Sequence, residues 1–157
     1  MNDTKKATKR KGGRDTSAKV WTDAERAAMQ EHAKEMKRAA RRGRAAADGE
    51  ADLLAKIAEM PDSDRVMAER IHAVVKANGP DLVSRTWYGM PAWANEAGKV
   101  ICFFTPAAKF KERYASFGFN ADANLDEGSM WATAWALTKL TAADEKKIGA
   151  LVKKAVS

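Results

Sequence analysis

The segment Trp87-Tyr88-Gly89-Met90-Pro91-Ala92-Trp93 constrains the fold of this chain more than any other. Gly89 can adopt backbone angles that are closed to other residues. Pro91 fixes its own φ and favours an extended conformation at Met90. The pattern therefore predicts a stiff, bent strand or loop, which presents aromatic faces either to the core of its own domain or to a ligand.

The length of the chain and its apolar pattern limit the class of protein. A chain of 157 residues suits one domain with one hydrophobic core. No apolar run approaches the roughly 18 residues that a membrane span needs, and the charged N-terminus lacks the apolar stretch of a secretory signal. The single cysteine, Cys102, cannot form an internal disulfide, which fits a reducing compartment. We therefore expect a cytoplasmic protein without a membrane partner.

Positive charge is concentrated at the N-terminal end. Residues 1–44 hold 14 of the 28 Lys and Arg but only six of the 21 Asp and Glu, so that residues 45–157 have a net charge of −1. Residues 1–20 have little to bury and are predicted to form a disordered basic arm. The arm is either a solvated tail or a contact surface for nucleic acid or another polyanion. The candidate contacts are Lys5, Lys6, Lys9, Arg10, Lys11 and Arg14.

Helix signals occupy the first half of the chain and its end. Thr22 and Glu25 form a capping-box pattern at the start of a helix, and residues 45–49 resemble a connector, so 21–49 is predicted to be a helix and connector. Apolar residues at helical spacing predict helices over about 50–60 and 64–77, the second capped by Asp62 or Ser63. Thr141 and Asp144 give a second capping box, which begins a helix over 141–156.

Aromatic and β-branched residues dominate from about position 84 onward. Residues 87–94 and 99–105 are predicted to form a hairpin, and 114–119 a further strand. Residues 130–138 suit a strand and a helix almost equally by periodicity. The order of elements predicts an α+β fold in which helices pack on an antiparallel sheet of three or four strands.

The aromatic residues of this half are either core or the lining of a small-molecule pocket. The candidate pocket has a lysine at its mouth, Lys99 or Lys109. It would be formed by Trp87, Tyr88, Met90, Pro91, Trp93, Phe104 and Lys109. Neither His32 nor His72 has a second histidine or a cysteine three or four residues further along the chain. Cys102 lies in an apolar strand, where a thiol is inert. With no complete catalytic constellation, the chain is predicted to bind a ligand without transforming it.

Three runs, 88–93, 98–104 and 114–119, resemble the YdhG-like domain-of-unknown-function family, and the similarity covers roughly residues 52–156. The resemblance implies a YdhG-like α+β domain over 50–157, of the secretion-chaperone-like type, with about four strands and with 130–138 as a strand. Some members of the family are regarded as frataxin-like intracellular iron chaperones. The resemblance thus implies a non-enzymatic carrier that passes iron to an accepting protein.

An iron carrier would bind its cargo through carboxylates, weakly enough to release it, so no tightly bound cofactor is expected. The loop over 120–129 offers Asp122, Asp126 and Glu127 as candidate metal ligands. A second acidic group, Asp62, Asp64 and Glu69, lies near the start of the helix over 64–77. Both groups also suit a solvated loop and helix caps. The alternative function is a nucleic-acid- or polyanion-associated accessory protein that uses the basic arm.

Overall fold

We describe the protein from a computed structural model, in which residues 20–42 and 46–157 are described. The six bases of the predicted arm lie outside these ranges. The helices are α1 (Asp23–Arg42), α2 (Ala46–Ala58), α3 (Asp62–Asn78) and α4 (Ala142–Val156). The strands are β1 (Val83–Trp87), β2 (Met90–Ala94), β3 (Val100–Thr105), β4 (Ala115–Phe119) and β5 (Ala134–Leu137), with a 3-10 turn over Ala108–Phe110.

The five strands form one antiparallel sheet in the order β1-β2-β3-β4-β5, so that every strand pairs with its neighbour in sequence. This confirms the predicted α+β fold, with one strand more than expected. Among the described helices, none is long and apolar enough to cross a membrane.

The extra strand, β1, ends at Trp87, the first residue of the segment on which the sequence analysis began. Trp87 pairs with Met90, and Tyr88 and Gly89 form the two-residue turn between them, with φ of 52° and 74°. Two consecutive residues with positive φ are what a tight hairpin turn requires. The prediction of one strand over 87–94 is therefore wrong: β2 begins at Met90 and pairs with both β1 and β3.

The core lies on one face of the sheet. Trp93 pairs with Cys102, which pairs with Phe119, so these side chains share the face that also carries Phe104 and Phe117. Three helices cover this face with apolar side chains spaced one turn apart. They are Leu53 and Ile57 of α2, Met67, Ile71 and Val75 of α3, and Ile148 and Val152 of α4.

Two predicted helix starts need correction. Residues 46–49 belong to α2 and are not a connector, and Gly49 allows α2 to approach the carbonyl oxygen of Ser84 on β1 more closely than a Cβ would permit. Helix α3 begins at Asp62 after Pro61, without a side-chain cap. The predicted cap failed because the helix begins at Asp62, so that Asp62 and Ser63 lie within its first turn and not before it.

The two predicted capping boxes are present, and the predicted last strand is present in part. Thr22 and Glu25 exchange the two hydrogen bonds of a capping box, and so do Thr141 and Asp144. The predicted strand over 130–138 is confirmed only for Ala134–Leu137.

Candidate functional site

A groove of about 850 Å³ runs beside β1, the edge strand of the sheet. Its walls are the second half of the described part of α1, the beginning of α2, the whole of β1 and the turn between β2 and β3. Groove volumes of this size are typical of sites for small molecules. We call it the α1–β1 groove.

Charged side chains surround the α1–β1 groove, and acidic ones outnumber basic ones. Five carboxylates and three cationic side chains line it. The carboxylates are Glu35, Asp48, Asp52, Glu96 and Asp122, and the cationic side chains are Arg38, Arg85 and Lys99.

All three cationic side chains have partners within the protein. Arg38 pairs with Asp52 at 3.5 Å, and Lys99 pairs with Asp122 at 3.8 Å. Arg85 donates to the carbonyl oxygen of Gly98 at 3.3 Å. The groove therefore has a net negative charge, and its positive groups are already engaged.

Trp87 provides the aromatic wall of the groove. It lies on the face of the sheet opposite the core, half-buried, with its ring centroid 5.2 Å from that of Phe103 and 5.0 Å from that of Tyr88. On the other side of Tyr88, the imidazole of His32 stacks at 4.0 Å, with an interplanar angle of 11°. Trp87 is thus held by two rings while part of its surface remains exposed.

The predicted ligand-binding set is divided between the core and the surface. Trp93 and Phe104 are fully buried, Met90 and Pro91 are also buried, and of the set only Trp87 lines the α1–β1 groove. Lys109 lies at the other side of the hairpin turn, where its Nζ is 3.2 Å from both carboxylate oxygens of Glu31. The division follows from strand alternation, because Trp87 and Trp93 occupy opposite faces of the sheet.

The predicted metal ligands are not gathered into one group. Asp122 pairs with Lys99, and Glu127 pairs with Lys154 at 3.6 Å. Across residues 20–42 and 46–157 there is no cluster of three or more His, Cys, Asp or Glu suited to a metal ion. In the second acidic group, the carboxylate of the buried Asp64 accepts hydrogen bonds from the backbone N–H groups of Ala107 and Ala108, both at 3.1 Å.

A buried hydrogen-bonded chain, which the sequence did not reveal, connects the core to the surface. The Nε1–H of Trp93 donates to Nδ1 of His72, and Nε2 of His72 lies 3.1 Å from Oε1 of Glu50. Lys76 donates to the same oxygen. These hydrogen bonds from Lys76 and His72 lower the pKa of Glu50.

The single thiol, that of Cys102, belongs to the hydrophobic core. Cys102 is buried between β2 and β4, and burial raises its pKa well above the ordinary value. The thiol is therefore protonated at neutral pH, as the sequence analysis expected of an inert cysteine.

Residues of α1 that the sequence analysis did not single out meet the hairpin turn. The carboxylate of Glu35 accepts hydrogen bonds from the backbone N–H groups of Tyr88 at 3.0 Å and of Gly89 at 2.9 Å. Glu31, one helical turn earlier, pairs with Lys109 and with Lys56 of α2. The spacing of Glu31 and Glu35 was the available signal, since residues four apart share a helix face.

Comparisons of the chain with family models, with curated proteins and with solved structures gave no match. The resemblance to the YdhG-like family therefore stays a prediction.

Proposed function

We propose that this protein is a binding protein, not an enzyme, and that it carries a small organic cation in the α1–β1 groove. The observation that carries the proposal is the combination of a half-buried aromatic wall, Trp87, with a net negative lining of five carboxylates and three cations. Aromatic faces attract cations through the ring quadrupole, and carboxylates add Coulomb attraction.

The chemistry of the groove favours a cation over an anion. An anionic ligand would have to displace the partners of Arg38, Arg85 and Lys99, each of which is already engaged. A cationic ligand is attracted by the net negative charge of the lining and can contact the groove without displacing the ion pairs of Arg38 and Lys99. Asp48, near the start of α2, has no ion pair in the described part of the chain and is the first candidate to contact such a ligand.

A binding function is also favoured over catalysis by the state of the reactive groups. The Cys102 thiol is protonated and buried away from the groove. Glu35, the carboxylate nearest to His32 among the groove residues, is occupied by the hairpin turn. These contacts suit a rigid lining that holds a ligand.

The test is titration calorimetry of the full chain with spermidine as the cationic probe and citrate as the anionic one. We expect saturable binding of spermidine and none of citrate. The overall charge of +7 would repel spermidine, so binding would report a local site. Asp48→Asn should weaken binding about fivefold, the equivalent of about 1 kcal/mol. Asp81→Asn removes an equal charge from the exposed turn before β1 and is the matched control.

Equal effects of Asp48→Asn and Asp81→Asn would contradict the proposal, as would binding of citrate alone. Two predictions from the sequence are tested beside it. An anaerobic titration with Fe²⁺ tests the iron carrier. Binding of DNA or RNA, measured before and after deletion of residues 1–20, tests the polyanion function. If the arm binds polyanions, the affinity should fall steeply as the salt concentration rises, and the deletion should abolish binding.

A further inference from the structure

The turn between β1 and β2 has the chemistry of a carboxylate-binding site. The N–H groups of Tyr88 and Gly89 are adjacent, and each donates to a different oxygen of one carboxylate, that of Glu35. Successive main-chain N–H groups in a turn form a concavity that binds anions. The positive φ of both residues produces this arrangement, which is the reason that the turn needs Gly89.

Two lysines extend this positive site. The Nζ of Lys109 lies beside Gly89 and 3.2 Å from both oxygens of Glu31, and the Nζ of Lys56 lies 3.6 Å from one of them. The body of the protein therefore offers two N–H groups and two ammonium groups. Helix α1 offers two carboxylates four residues apart: Glu35 for the two N–H groups and Glu31 for the two ammonium groups.

Helix α1 contacts the body through these polar groups and through the stacking of His32 on Tyr88, with little apolar burial. Among its described side chains, over residues 23–38, the only buried apolar one is Ala28, while Met29 and Met36 are exposed. Partly exposed ion pairs contribute little to stability. One buried polar atom of α1 also has no hydrogen-bond partner among the described residues: Nδ1 of His32, which lies 3.7 Å from Oε2 of Glu35.

We propose that the turn formed by Tyr88 and Gly89, together with Lys56 and Lys109, is a receptor for an acidic helix of a partner protein, and that α1 is its resident self-ligand. The partner helix presents two glutamates four residues apart, which replace Glu35 on the backbone N–H groups and Glu31 on the lysines. The site adjoins the α1–β1 groove and shares Glu35 with it, but it differs from the cation site in its ligand. Its ligand is anionic, and its contacts lie at the hairpin turn.

The test uses the full chain and a fluorescent peptide of residues 21–42, which stands in for the partner helix. In the Glu31→Gln/Glu35→Gln protein the resident helix loses both carboxylates. We expect the peptide to bind this variant at least tenfold more tightly than the wild-type protein, measured by fluorescence anisotropy. A peptide carrying the same two substitutions should lose that binding. Asp23→Asn removes a carboxylate at the far end of α1, and this protein should behave like wild type.

The position of binding is read from the backbone amide signals of Tyr88 and Gly89 in ¹⁵N NMR spectra, which should shift on addition of the peptide. The single variant Glu35→Gln, which keeps the ion pairs of Glu31, repeats the measurement if the double variant does not fold. Equal binding of the two peptides, no binding of either, or unshifted Tyr88 and Gly89 amides would overturn the proposal. None of these outcomes depends on whether spermidine binds.

Discussion

The indole of Trp93 and the imidazole of His72 form a hydrogen bond of 3.2 Å in the interior of the protein. An indole N–H can only donate, so Nδ1 of His72 must accept, and the proton of the neutral ring lies on Nε2. From there it is directed at Glu50. The contact fixes the tautomer of a buried histidine and connects the sheet, α3 and α2 through three side chains.

Trp93→Phe removes the donor and part of the ring from a fully buried site. We expect a loss of about 2 kcal/mol in the free energy of unfolding, since a cavity and an unpaired buried nitrogen remain. Urea denaturation measures the loss, with Trp131→Phe at a more exposed tryptophan as control. ¹⁵N NMR of the ring nitrogens should show the Nε2–H tautomer of His72 in the wild-type protein. A proton on Nδ1 would contradict the assignment.

Asp64 connects α3 to the segment that follows β3. Its side chain is buried and accepts two backbone hydrogen bonds, from Ala107 and Ala108. In Asp64→Asn a donor amide group replaces one acceptor oxygen, so that two donors face each other and one N–H group loses its acceptor. We therefore expect the free energy of unfolding to fall by about 2 kcal/mol. Asp62→Asn is the matched control, because it lies in the same first turn with its side chain 90% exposed. Equal urea midpoints for the two variants would show that the Asp64 hydrogen bonds contribute nothing.

Local patterns in the sequence were sufficient to predict the fold class. They failed where contacts between residues far apart in the sequence determine the local conformation. The capping boxes at Thr22 and Thr141 depend on residues three apart, and both form as predicted. The turn at Tyr88 and Gly89 was missed because a tyrosine with positive φ is uncommon. That conformation becomes understandable only when Glu35, 53 residues away from Tyr88, accepts the turn's hydrogen bonds.

The candidate site was harder to predict for the same reason. The aromatic segment was recognised as important, but the sequence did not show which rings face the core. The turn at Tyr88 and Gly89 places the residues before Met90 on a separate strand, and this decides which face of the sheet each of them occupies. Trp87 was therefore grouped with Trp93, although the sheet separates them. The four-residue spacing of Glu31 and Glu35 places them on one face of α1, but it does not indicate that they contact residues beyond position 87.

Asp144 should give the protein a measurable sensitivity to acid. The backbone N–H and then the side chain of Thr141 lower the pKa of Asp144 from its ordinary value, and Lys139 and Lys147 act in the same direction. A carboxylate whose pKa is lower in the folded than in the unfolded protein stabilises the fold above the unfolded value, and this stabilisation is lost as the pH falls through the folded value. Asp144→Asn keeps an oxygen acceptor but cannot titrate.

We therefore expect the free energy of unfolding of Asp144→Asn to change less than that of the wild-type protein as the pH falls from about 5 to about 2.5. Urea denaturation over this range measures it. Asp81→Asn, which removes an exposed carboxylate outside the capping box, should keep the wild-type slope. If both variants show the same slope, the capping box does not set the pKa of Asp144.

Gly89→Ala tests the close approach of α1 to the hairpin turn. Gly89 has φ of 74°, and a Cβ there would overlap the carboxylate of Glu31 and lie 2.7 Å from Nζ of Lys109. Gly128 has φ of 62° with open space around it, so Gly128→Ala reports the backbone strain alone, about 1 kcal/mol. We expect Gly89→Ala to lower the free energy of unfolding by about 2 kcal/mol, because steric overlap adds to that strain.

Truncation of the overlapping side chain in the double variant Glu31→Ala/Gly89→Ala should recover part of this loss. Equal losses for Gly89→Ala and Gly128→Ala would show that α1 does not lie against the turn in solution.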